Sequence, residues 1–109
     1  MQIKKIKTLR LNSYVFDITW DKEKSGAEFR FYDTEKNERP TLRLPCPIKW
    51  GENHTFMVLC HELMEMSLVE LNVRYLRADV QDDYLFSFNH KQLDSTANMM
   101  SGALSQFIK

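Results

Sequence analysis

The sequence predicts an α+β fold: a three- to four-stranded antiparallel sheet followed by two packed α-helices. Up to about residue 45 the apolar residues alternate with a period of two, and from about Asn53 they recur at helical spacing. The order, strands first and helices after, separates the two kinds of element along the chain. At 109 residues the chain fits one domain, residues 1–109, with a single core. A composition that is 43% hydrophobic and 28% charged belongs to a chain that folds.

The strands come first. In "YVFDITW", Tyr14, Phe16, Ile18 and Trp20 alternate with Val15, Asp17 and Thr19, the pattern of a half-buried strand. A polar turn, "DKEKSG", leads to "AEFRFYD", where Phe29 and Phe31 oppose Glu28, Arg30 and Tyr32. These two runs are expected to pair as an antiparallel hairpin. "TLRLP" adds a short run closed by Pro45 and Pro47, and "TLRL" from Thr8 to Leu11 adds or extends another. Between the helices, Tyr84, Phe86 and Phe88 alternate in a short extended segment.

The helices follow. His54 to Tyr75 contains no Gly or Pro and is rich in Leu, Met and Glu, so a helix is expected near 53–75. A second is expected near 89–107. Asn89 is placed as its N-cap, Gln92 completes a variant capping box, and Leu93, Ala97, Met100, Leu104 and Phe107 form its apolar stripe.

On the first helix, apolar residues occupy nearly the whole circumference, which is the mark of a buried helix. One narrow line breaks the pattern. At about 100° per residue, His54, His61, Glu65 and Asn72 fall on one side, with Glu62 just beside them. An ionised carboxylate there needs solvent, a partner or a cation, because its burial alone costs several kcal/mol or more. Three arrangements satisfy it: a face open to water, a His–Glu hydrogen bond, or a metal ion held by residues one turn apart. On the second helix, His90 and Asp94 lie one turn apart at the margin of the apolar stripe. If the helices pack together, His61, Glu65 and His90 form a ligand set, with Asp94 as fourth ligand or as the residue that orients one. Imidazole nitrogen and carboxylate oxygen suit zinc.

Other chemistries are excluded by what they require. Three glycines, Gly26, Gly51 and Gly102, leave no glycine-rich phosphate loop. Cys60 and His61 point about 100° apart on a helix, so they are no nucleophile–base pair. Fifteen basic residues balance fifteen acidic ones, against the basic excess of a nucleic-acid surface. No apolar run approaches the ~20 residues of a membrane span. Two cysteines, with Cys60 placed in the core, suggest no disulfide framework and a reducing cytoplasmic setting.

With "CHELMEM" on the first helix and "HKQLDSTANMMSGALSQF" on the second, the layout resembles that of small minigluzincin-type zinc metallopeptidase-like proteins, many of them encoded by phages or prophages. The resemblance implies zinc as cofactor, His61 as its first ligand, and Glu62 as the general base that activates water at the metal. At the second ligand position this chain has Glu65 where the family has histidine. A carboxylate binds zinc but adds negative charge and weakens its Lewis acidity. The expected protein therefore binds metal more surely than it hydrolyses, and takes a peptide substrate or a protein partner. The alternative is a non-catalytic binding module that keeps the fold, without metal, to engage a phage or host protein.

Overall fold

A computed structural model describes residues 2–31, 38–76 and 84–108. Four strands form one sheet: β1 (Thr8–Leu11), β2 (Tyr14–Asp21), β3 (Glu28–Arg30) and β4 (Thr41–Pro45). A one-turn helix α1 (Pro47–Trp50) leads into α2 (Glu52–Glu70). A small ladder, β5 (Arg74–Leu76) with β6 (Tyr84–Phe86), precedes α3 (His90–Ser105). The α+β class stands, with four strands and then helices.

The sheet order corrects one expectation. It runs β1-β2-β4-β3, so β4 lies between the two runs expected to form a hairpin. β1 pairs antiparallel with β2, β3 antiparallel with β4, but β2 and β4 are parallel. Strand length accounts for part of this order: the three-residue β3 suits an edge, while β4 buries Leu42 and Leu44 completely in the core. The link from β2 to β3 also forms its own local structure: the Asp21 carboxylate accepts from the amides of Glu23 at 2.8 Å and Lys24 at 3.3 Å.

The face of β2 read from its period is the face that packs. Phe16 is fully buried, and Tyr14, Ile18 and Trp20 lie against the core. From α2, Leu59, Leu63 and Met66 complete that core, and Ala103 and Phe107 close it from the C-terminal side.

The first helix ends at Glu70, short of Tyr75. Asn72 adopts a left-handed φ of 59°, and the amides of Asn72 and Val73 donate back to the carbonyls of Val69 (2.9 Å) and Leu68 (3.1 Å). This is a Schellman termination with Asn in the glycine's usual place. It turns the chain so that Arg74 runs back beside α2 as part of β5.

α3 begins where the sequence places it. Asn89 Oδ1 accepts from the Gln92 amide, and Gln92 Oε1 accepts from the Asn89 amide, each at 2.9 Å. Its buried face is rotated from the expected stripe. Thr96 and Ala103 are buried and Met99, Met100 and Leu104 partly so, while Leu93 is 48% exposed and Ala97 also faces out. The helix end is fixed by Gln106, whose side chain accepts from the Arg10 amide (2.9 Å) and donates to the Arg10 carbonyl (2.7 Å). Those two bonds cover the outer edge of β1 and set the rotation of α3.

Candidate metal centre

α2 supplies the candidate ligands. His61, Glu62 and Glu65 each bring a ligand atom within 4.8 Å of the others, and they form the cluster with metal-ligand chemistry among the described residues. The cluster could hold a metal ion. Around a tetrahedral zinc, ligand atoms are about 3.4 Å apart, so a modest closing of these side chains suffices. His61 is free to supply it, because its side chain is 72% exposed.

Burial divides the three residues. Glu62 is buried, with a side chain only 10% exposed, and its Oε1 lies 3.9 Å from His61 Nε2. Burial pushes the Glu62 carboxyl above its ordinary pKa, and the charge of Glu65 adds to the rise; His61 and Arg43 pull the other way. Glu65 sits at the rim, where Arg74 Nη1 approaches its Oε2 at 3.8 Å. The Arg74 guanidinium lies over the Tyr84 ring, 4.2 Å from its centroid.

Two cavities flank Glu65. One, about 230 Å³, is lined by His61, Met64, Glu65, Leu68, Phe86 and Phe88. Its walls are largely apolar, and a cavity of roughly 150 Å³ already holds a benzene ring. The other, about 280 Å³, has Ala27, Glu28, Phe29, Glu62, Glu65, Arg74 and Tyr84 on its walls. The site thus offers an apolar recess on one side and a charged one on the other.

The remaining residues of the expected set lie elsewhere. His90 and Asp94 are highly exposed, 86% and 66% at the side chain, and they pair with each other, Nδ1 to Oδ2 at 3.5 Å. The structure does not bring them to the cluster. Their neighbours Leu93 and Ala97 face out because Gln106 and the Thr96–Ala103 face fix the helix, and the two polar residues go with them. His54 is also occupied: its Nε2–H donates to the Ser25 carbonyl at 2.7 Å, tying α2 to the β2–β3 loop. Asn72 ends the helix instead of extending its polar line.

Sequence reasoning missed Arg74 because it assigned the residue to the end of a longer helix. The signal that finds it is Asn72, a residue that tolerates the left-handed turn. It also set Glu62 beside the line without anticipating its burial. No family model matches the chain, and neither a curated protein nor a solved structure does.

Proposed function

We propose that this chain is a small zinc-binding, metallopeptidase-like protein of the phage and prophage type, holding its ion with His61 and Glu65 and with Glu62 as third donor. The observation that carries the reading is the convergence of one imidazole and two carboxylates on α2, with one carboxyl buried. One nitrogen and two oxygens form a donor set that zinc accepts, with room for a further ligand. Bound there, the ion would supply Lewis acidity to a carbonyl.

The residues themselves argue for binding over turnover. Glu62 is the residue that would hold or move a proton, because burial raises the pKa of its carboxyl above the ordinary value. With His90 directed to solvent, however, Glu62 is needed as a donor, and a coordinating carboxylate is no longer free to take a proton. Two carboxylates also cancel the charge of the ion. Hydrolysis of peptides is accordingly expected to be weak or absent, and the apolar recess beside His61 to receive one apolar side chain of a bound peptide or protein segment.

Elemental analysis of protein purified without a polyhistidine tag tests the reading. Near-stoichiometric zinc, lost in His61→Ala and Glu65→Gln, is expected; protein without zinc, or zinc unaffected by both substitutions, overturns it. The reading of a metal-free binding module is favoured by a different observation. Met64, Phe88 and Leu93 are all more than 40% exposed near the N-terminus of α3 and the apolar recess. Under that reading, substitutions at these residues would abolish partner binding while His61→Ala would not.

A further inference from the structure

We propose that Arg74 is the resident counter-ion of Glu65, and that a divalent cation binds the cluster in competition with its charge; the inference rests on the metal-binding reading above. Its basis is how Arg74 is held. The contact from Nη1 to Glu65 Oε2 is 3.8 Å, an ion pair too long for a hydrogen bond. The guanidinium is also stacked on the Tyr84 ring, 4.2 Å from its centroid, with the Phe29 ring centroid at 5.8 Å. The Schellman turn at Asn72 and the β5–β6 pairing place both Arg74 and Tyr84 there, Arg74 opposite Phe86 and Tyr84 opposite Leu76. Arg74 therefore keeps its position whether or not Glu65 keeps its charge.

The consequence is a competition. An ion at an ordinary zinc–oxygen distance of about 2.0–2.2 Å from Glu65 Oε2 lies within about 6 Å of the guanidinium nitrogen. Two positive groups that close oppose each other, and the site screens them only in part, since Arg74 and Glu65 are 26% and 23% exposed at the side chain. Among the described residues Arg74 is also the one cation lining the charged recess, which it shares with Glu28, Glu62 and Glu65. Without metal it offsets the charge of Glu65. With metal it becomes the repelling neighbour. The arginine thus sets the metal concentration at which the site fills, below which the cluster is satisfied from within the chain.

Zinc titration of the full, untagged chain tests this, using wild type, Arg74→Gln, Arg74→Lys and His61→Ala in a competition assay against a chelating dye. Arg74→Gln should bind zinc about tenfold more tightly than wild type, and Arg74→Lys, which keeps the charge, within about threefold of it. Arg74→Met, which keeps the apolar contact with Tyr84, should match Arg74→Gln and serves if the glutamine variant does not melt cooperatively in EDTA. Equal or weaker zinc binding by the neutral variants, while His61→Ala still abolishes it, overturns the counter-ion role and leaves the metal site standing. No binding by wild type, or binding indifferent to His61→Ala, defeats the metal reading and the inference with it.

Discussion

At the scale of single residues, the site is governed by unequal burial along one helical turn. The His61 ring stands in solvent, so removing it disturbs little of the folded protein. His61→Ala should change the stability of the metal-free chain by no more than about 0.5 kcal/mol while abolishing zinc binding, as chemical denaturation in EDTA and a metal titration would show. A larger loss would mean that the 3.9 Å contact of the ring with the buried Glu62 carboxyl contributes substantially to stability. Glu62 behaves differently. Its folded pKa lies above the ordinary value of 4.5, so folding is penalised once the group must ionise. Below the unfolded pKa both states hold the proton and no penalty exists; it grows as pH rises through the folded pKa. Glu62→Gln should therefore melt above wild type in EDTA at about pH 7, with the difference vanishing near pH 4. A variant less stable than wild type at neutral pH would mean that the carboxylate is satisfied by a partner.

At the scale of elements, termination and rotation decide what reaches the site. The Asn89–Gln92 capping box is complete, and Asn89→Ala should cost about 1 kcal/mol by urea denaturation. Asn72 carries a left-handed φ of 59°. Asn72→Gly should be neutral or mildly stabilising, whereas Asn72→Val, β-branched, should cost roughly 1–2 kcal/mol and loosen the turn that sets Arg74 beside Glu65. The expected apolar stripe on α3 and the observed one lie side by side and share Met100, Leu104 and Phe107. A rotation of that size scarcely alters the periodicity, yet it moves His90 and Asp94 from the protein margin into water.

At the scale of the molecule, one core joins the sheet to both long helices. Leu63 is fully buried on the same helix as the site, so Leu63→Ala should cost about 2–4 kcal/mol through loss of packing alone. The two sheet edges differ. β1 is covered by the Gln106 side chain, while β3 lies beside the charged recess that Glu28 and Phe29 help to line. No helix among the described residues is long and apolar enough to cross a membrane. If the cluster binds zinc in the folded state only, zinc at about 100 times its Kd should raise the melting temperature by on the order of 10 °C, an effect absent from His61→Ala. Equal shifts in both proteins would place the stabilising ion elsewhere.

Those elements show where local information ends. The strand face Tyr14–Phe16–Ile18–Trp20, the Asn89 cap and the nearness of His61, Glu62 and Glu65 were legible because each depends on residues within a turn or a few positions of one another. Periodicity and capping are local properties, and a sequence states them directly. The insertion of β4 beside β2, the rotation of α3 and the pairing of Arg74 with Glu65 join residues from separate elements. They follow from which arrangement buries Leu42, Leu44 and Phe107 together while satisfying the β1 edge, a competition among contacts distant in sequence. The donor atoms were thus set by the sequence of one helix. Whether a second helix would join them, and which cation stands beside Glu65, only tertiary packing could decide.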